Sequence, residues 1–364
     1  MGNGIFFIAK NFLLRNFLRE NEMKISMIGA GSWGTAMVRL LAARNDNVWL
    51  YARNPETARR MADVRENEAY LPGVKIPESV HITSDLEEAA RDAECVILCT
   101  PAGAAEKTAE SIAPFLMPGV TVASASKGLA NDAGQRITEV IGEKLATKTN
   151  RIVVISGPNH AEEVGRGLPA ATVAAGTEPE AVALIQDIFM GPVFRVYRSD
   201  DIVGVEYGGC LKNIIAIASG MLDGLGYGDN SRAALMTRGL AEMTRFGRHY
   251  GAKMSTFFGL SGMGDLVVTC ISEHSRNRAA GIALAEGKTV SEITGGTKMV
   301  VEGIRTTKIV HDIAEKEGIS MPVTNEVYHV ILGEYSPKDA IVHLMNRAKK
   351  AETEEHLPGS DLNL

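Results

Sequence analysis

A lysine set in the middle of an apolar helical run is the residue of this sequence that most needs a chemical reason. Lys212, within Cys210-Leu-Lys-Asn-Ile-Ile-Ala-Ile-Ala218, would lose the solvation of its ammonium unless a counter-charge met it. Burial, or a second cation such as Lys127, would lower its pKa towards the range useful for proton transfer near neutral pH. Gly262-Met-Gly-Asp-Leu266 reads as a flexible turn ending in a carboxylate, Asp265, that could orient such a lysine. Ser275-Arg276-Asn277-Arg278 follows with hydroxyl, guanidinium and amide donors suited to a phosphate. Lys127, in Ser126-Lys-Gly128 just past an apolar strand, is placed to meet a phosphate or a carbonyl; a solvated loop lysine is the competing reading.

The second chemical signature is the run Met23-Lys-Ile-Ser-Met-Ile-Gly-Ala-Gly-Ser-Trp-Gly34. Gly29 permits a tight turn, Gly31 lets the backbone approach a pyrophosphate, and Gly34 allows close helix packing, while the following helix offers its first amides to the anion. The context fits, because 24–28 reads as a buried strand, 35–44 as a helix and 48–52 as the next strand. A glycine-rich turn with no ligand is the alternative. After that second strand an NAD site usually places an acidic side chain on the ribose hydroxyl, and here stands Arg53. A guanidinium there could pair with a 2′-phosphate or stack on adenine, which favours NADPH and leaves NADH possible; an ordinary surface cation is the other reading.

These groups need a scaffold, and the chain alternates apolar strands with helical stretches up to about residue 205. Strands are expected around Ile82 and over 95–100, 120–125 and 152–156, each ending in small or polar residues. In open parallel sheets ligands gather at the carboxyl ends of strands, so the loops after Ile28, Ala52, Thr100, Ala125 and Ser156 are the ones to watch. The last begins Ser156-Gly-Pro-Asn-His-Ala161. Beyond 205 the stretches 205–220, 231–250, 275–286, 302–317 and 323–332 read as packed helices. The expected fold class is an α/β Rossmann-like N-terminal domain followed by an all-helical C-terminal domain. The divisions are an N-terminal extension over 1–22, a dinucleotide-binding domain over 23–205, a helical domain over 206–348 and a polar tail over 349–364.

Composition sets the outer limits. With 364 residues the chain exceeds what one hydrophobic core usually serves. A net charge of -6 gives no broad attraction to nucleic acid or to anionic membranes, so an anionic ligand must be caught by a few placed cations. The four cysteines, Cys95, Cys99, Cys210 and Cys270, are too few and too irregular for a disulfide framework or a zinc site, and no metal-ligand cluster is visible. In 1–22, Ile5, Phe6, Ala9, Phe12, Leu13 and Phe17 recur at helical spacing among Lys10, Arg15 and Arg19. That segment reads as a disordered or amphipathic extension, or as residues ahead of an internal start at Met23, rather than a signal peptide. No later segment is expected to cross a bilayer.

Taken in order, Gly29-x-Gly31-Ser32-Trp33-Gly34, Ser126-Lys127-Gly128, Gly157-Pro158, Leu211-Lys212-Asn213, Gly264-Asp265-Leu266, Ser275-Arg276-Asn277-Arg278 and Val301-Glu302-Gly303 resemble the NAD(P)-dependent glycerol-3-phosphate dehydrogenases of bacterial type. The resemblance runs from Met23 to about Arg347. It implies a cytoplasmic homodimer that interconverts dihydroxyacetone phosphate and sn-glycerol 3-phosphate, supplying the glycerophospholipid backbone, without a metal. It also implies that Gly29, Gly31, Ser32, Trp33, Gly34, Arg53, Lys127, Ala161, Arg276, Val300 and Glu302 meet the cofactor. Lys127, Gly157, Asn159, Lys212, Asp265, Ser275, Arg276 and Asn277 would line the substrate pocket, with Lys212, Lys127 and Asp265 catalytic. The chain departs from the family pattern where Asn159 replaces the usual serine and His160 the frequent aromatic; asparagine can still donate a hydrogen bond, and a positioning or packing histidine is the plainer reading of His160. A dehydrogenase of β-hydroxyacids or acyl-CoA would share the glycine fingerprint and the helical half, but not Lys127, Asp265 and Ser275-Arg276-Asn277 together.

Overall fold

The computed structural model describes residues 23–295, 301–349 and 351–352; the extension over 1–22, Val300 and the tail beyond Glu352 lie outside the described residues. Among the described residues ten strands form, β1 (Ile25–Ile28), β2 (Val48–Tyr51), β3 (Glu66–Asn67), β4 (Leu71–Lys75), β5 (His81–Thr83), β6 (Cys95–Leu98), β7 (Thr121–Ser124), β8 (Ile152–Ser156), β9 (Ala170–Gly176) and β10 (Phe194–Ser199). Eight of them make one sheet in the order β10-β9-β8-β7-β6-β1-β2-β5. β1, β6, β7 and β8 are buried at every position, which is why they read as unbroken apolar runs: helices cover both faces of the sheet. Those helices are α1 (Ser32–Ala42), α2 (Pro55–Val64), α3 (Leu86–Ala90), α4 (Ala105–Ile112), α5 (Ile137–Leu145), α6 (Ala161–Gly165) and α7 (Pro179–Phe189). Met27 and Ile97 belong to the core on one face, Ile28 and Leu98 to the core on the other.

The winding fixes where a ligand can sit. The chain runs outward from β1 to β2 and β5, then returns to pair β6 with the opposite edge of β1, Ile28 aligning with Tyr51 on one side and Leu98 on the other. A crevice opens where the strand order reverses, beyond the carboxyl ends of β1 and β6. β9 and β10 go beyond the strands expected from the sequence. β9 is antiparallel to β8, and its Ala-Ala-Thr-Val-Ala-Ala-Gly composition has little intrinsic strand preference; it becomes a strand because β8 and β10 flank it.

The second half is helical, as expected: α8 (Ile202–Gly224), α9 (Asp229–His249), α10 (Met254–Phe257), α11 (Asp265–Ile271), α12 (Arg276–Ala285), α13 (Val290–Gly295), α14 (Glu302–Glu317), α15 (Pro322–Leu332) and α16 (Pro337–Met345). α8 starts earlier than its periodicity suggests because Asp201 caps it, accepting from the Gly204 N–H at 2.8 Å. It is apolar all round because other helices enclose it. The expectation that no later segment could span a bilayer is corrected on length and composition: α8 and the stretch Met254–Ile271 are long and apolar enough. The α8 window is 89% buried inside the protein, which is the behaviour of a core helix. Val205 of α8 packs on Val154, Val173 and Ala175 of the sheet, so the helical half is seated on the strand ends.

Candidate active site

The glycine turn is built as a cradle. Gly29 sits at φ 125°, and a Cβ added there would run into the Cys99 carbonyl, while one on Gly34 would run into the Gly29 carbonyl. A Cβ on Gly31 would meet nothing within 4 Å. Gly31 is also the N-cap of α1 and no side chain caps that end, leaving the first amides and the open side of the turn for an anion. The buried Asn67 braces the turn from behind, donating to the Ala30 carbonyl at 2.9 Å and to Thr35 Oγ1 at 2.8 Å. Across the crevice, at the end of β6, Thr100 Oγ1 is a buried oxygen with no partner among the described residues. An open, uncapped, glycine-lined end of this kind fits the pyrophosphate of a dinucleotide.

Of the other residues expected at a cofactor, the described ones come from several elements. Ser32 and Trp33 open α1, with Trp33 packed on the sheet core, and Ala161 is buried at the start of α6. Arg53 is exposed just past β2 and pairs with nothing among the described residues. Glu302 opens α14 and accepts from the Ala102 N–H at 3.3 Å, beside Gly128; burial pushes its carboxyl up from the ordinary range. That contact ties the helical half to the loop after β6.

Lys127, Lys212 and Asp265 converge on one point. Lys127 comes from the loop after β7, Lys212 from the middle of α8, and Asp265 from the first turn of α11, where the helix end favours a carboxylate. Lys127 Nζ donates to Asp265 Oδ2 at 2.6 Å and to the Gly157 carbonyl at 2.9 Å. Lys212 Nζ donates to Asp265 Oδ1 and, at 2.8 Å, to Thr269 Oγ1, whose own hydroxyl donates to the Asp265 carbonyl at 2.5 Å. Lys212 is 6% exposed and Asp265 1%. Burial drives the Lys212 amine down to about 7, the Asp265 charge pulling it up and the Lys127 ammonium pushing it further down.

The turn before Asp265, read as flexible from Gly262-Met-Gly, is regularly hydrogen-bonded. It is a π-helical turn, Leu260–Gly264, closed by a Gly264 N–H donated to the Gly259 carbonyl at 3.1 Å. Gly262 is there for closeness, since a Cβ on it would strike the backbone of Phe257. Thr269, one helical turn past Asp265, is a site residue the sequence reading missed; its spacing becomes meaningful only once Asp265 is placed. Asn67 carries no local signal at all.

Gly157 lies flat on β9, where an added Cβ would stand 2.8 Å from the Thr172 Cα. Asn159 turns its amide onto the backbone, donating to the Ala171 carbonyl at 2.9 Å and the Pro158 carbonyl at 3.0 Å. His160 occupies the N-cap position of α6 without a side-chain capping bond, and burial followed by the Lys212 and Lys127 charges lowers its pKa. Beyond the lysines, Ser275 Oγ caps α12 by accepting from the Arg278 N–H at 3.2 Å. Asn277 is a cross-brace: it donates to Asn213 Oδ1 and accepts from the Gly303 N–H, both at 2.9 Å. Arg276, at the first position of α12, is the exposed cation of that group. Among the described residues no cluster of three or more His, Cys, Asp or Glu could hold a metal ion.

Known proteins resemble this chain along nearly its whole length. Residues 24–182 match the model of the NAD-dependent glycerol-3-phosphate dehydrogenase N-terminus and 201–342 that of its C-terminus. A glycerol-3-phosphate dehydrogenase [NAD(P)+] of Moorella thermoacetica is 48% identical over 330 residues, 91% of this chain and 98% of the relative. That of Pelotomaculum thermopropionicum is 45% identical over 333 residues, 91% of this chain and 95% of the relative. The crystal structure of glycerol-3-phosphate dehydrogenase from Coxiella burnetii superposes with a TM-score of 0.84 at 36% identity, covering 90% of this chain and 99% of that one. The chain belongs to the NAD-dependent glycerol-3-phosphate dehydrogenase family.

Proposed function

We propose that this dehydrogenase interconverts dihydroxyacetone phosphate and sn-glycerol 3-phosphate with Lys212 as proton donor and acceptor. The observation that carries the reading is the carboxylate of Asp265 held between Lys212 and Lys127 beside the glycine cradle. A nicotinamide dinucleotide bound in the cradle supplies or takes up the hydride. In reduction, negative charge grows on the substrate C2 oxygen, and protonated Lys212 stabilises it and gives it a proton; in oxidation, neutral Lys212 takes the hydroxyl proton. An amine near 7 is present in both forms at neutral pH, which suits a reversible reaction. Asp265 and Thr269 fix the direction of the Lys212 N–H bonds, and Lys127 adds a second positive charge close to the same oxygen.

Arg276 grips the substrate phosphate, with Ser275 and Asn277 fixing its helix turn and Gly157 and Asn159 forming the facing wall. Binding energy from that remote group holds C2 in place. Ser32, Trp33, Ala161 and Glu302 border the cofactor, and the exposed Arg53 gives it a preference for NADPH over NADH. The protein works as a cytoplasmic homodimer; the free state of all four cysteines suits a reducing compartment. The test is loss of NADPH absorbance on adding dihydroxyacetone phosphate, run beside 2-keto acids and acyl-CoA substrates. Turnover of one of those in place of the phosphorylated ketone would overturn the reading.

A further inference from the structure

We propose a second ligand site in the N-terminal half, where Arg39 and Arg166 hold the phosphate of an organic phosphate monoester. The site is a cavity of about 590 Å³ between α1, β4 and the end of α6, a size suited to a small molecule. None of the residues expected at the cofactor or the substrate lines it. Four cations do, Arg39, Arg65, Lys75 and Arg166, against one acid, Glu78. In a chain whose net charge is -6, a concave cationic lining is a local reversal of sign that draws in an anion.

Two of the four cations are committed to the wall itself. Arg65, just past α2, has φ 52° and is one of two non-glycine residues at positive φ among the described residues. Such a conformation persists where surrounding contacts fix it. Its guanidinium donates to the Pro77 carbonyl and, at 2.9 Å, to the Val80 carbonyl, with a Glu78 oxygen 3.6 Å from Nε. Lys75 pairs with Glu66 at 3.0 Å. On the facing side Gly165 lets α6 close on β4, since a Cβ there would press on the Leu71 and Val74 side chains at 3.1 and 3.2 Å. Arg39 and Arg166 differ, having no hydrogen bond or ion pair among the described residues. Two guanidiniums on one cavity without a counter-ion suit a doubly charged anion, and their forked donors match phosphate oxygens. The cavity is much larger than a bare phosphate ion, and Val74, Ile76 and Pro77 line the remainder, so the ligand carries a carbon body on its phosphate.

The probe is phenyl phosphate, titrated by calorimetry into the full chain saturated with NADPH, beside inorganic phosphate and phenol. Wild type should bind phenyl phosphate more tightly than either. The double variant Arg39→Gln with Arg166→Gln keeps the aliphatic stems and removes both charges, and should weaken that binding by about tenfold or more. Arg39→Lys with Arg166→Lys, which keeps the charges without the forks, should restore part of it. Circular dichroism and the affinity for NADPH should stay at wild-type values in the glutamine pair, because neither arginine has a partner to lose. Equal phenyl phosphate binding by wild type and the glutamine pair would overturn the site, whatever binds elsewhere. Inorganic phosphate or phenol binding as tightly as phenyl phosphate would overturn the assigned ligand class. A parallel loss of NADPH affinity would assign both arginines to the cofactor and overturn the second site.

Discussion

Lys127 and Lys212 bind opposite oxygens of one carboxylate, Asp265, which is itself 1% exposed. Three ionisable groups thus share a largely buried site in which two are cationic and one anionic. The excess positive charge is what a developing alkoxide needs, and it also makes one of the two ammoniums easy to deprotonate. Lys212, the more deeply buried, is that one.

Removing the Lys212 amine should cost the chemistry and little else. Lys212→Ala is expected to lower kcat by about 10²–10⁴ with circular dichroism unchanged. Activity within about tenfold of wild type would show that proton transfer runs through another group.

The pH dependence should run in opposite senses in the two directions. Lys212 is driven down to about 7, so reduction, which needs the protonated amine, should weaken as pH rises above that value. Oxidation needs the neutral amine and should weaken below it. In Asp265→Asn the carboxylate that pulls the amine up is gone, so the falling limb of reduction should move to lower pH. A limb that stays in place would separate the observed ionisation from Lys212.

Arg53 is exposed at the end of β2 and unpaired among the described residues. Arg53→Asp should invert its electrostatics at a 2′-phosphate and offer a carboxylate to a ribose hydroxyl instead. The ratio of kcat/KM for NADPH to that for NADH should fall by an order of magnitude or more, since charge-assisted contacts contribute about 1.5–3 kcal/mol. An unmoved ratio assigns Arg53 to the surface.

Asn67 braces the glycine turn from a strand far away in sequence, with hydrogen bonds to Ala30 and Thr35. Asn67→Ala takes a donor from the Ala30 carbonyl and from Thr35 Oγ1, which keeps only its own bond to the Gly31 carbonyl, and so loosens the turn; unfolding free energy should drop by about 1–3 kcal/mol. The KM for the dinucleotide should rise while the KM for dihydroxyacetone phosphate changes little. Urea titration and paired saturation curves read the two effects separately.

What could be read from the chain alone was whatever is local. The strand, glycine turn and helix over 24–44 are specified by consecutive side chains, so the cradle was legible, as was the change from alternating elements to helices near 205. Lys212 stood out because an ammonium in an apolar helix is costly wherever the helix is packed. The tertiary structure decided the rest. Asp265 lies 138 positions from Lys127 and 53 from Lys212, and no periodicity encodes that meeting. The turn at Gly262, read as flexible, is a closed π-turn in which Gly262 answers to the backbone of Phe257 rather than to its neighbours in sequence. β9 is a strand only because β8 and β10 flank it, and Asn67 and Thr269 acquire roles only beside partners that folding delivers. Dihedral preference and amphipathic period act over a few residues, whereas desolvation and charge proximity depend on distances in space. The residue types of this site were therefore determined by the sequence, and their pKa values and hydrogen-bond partners by the fold.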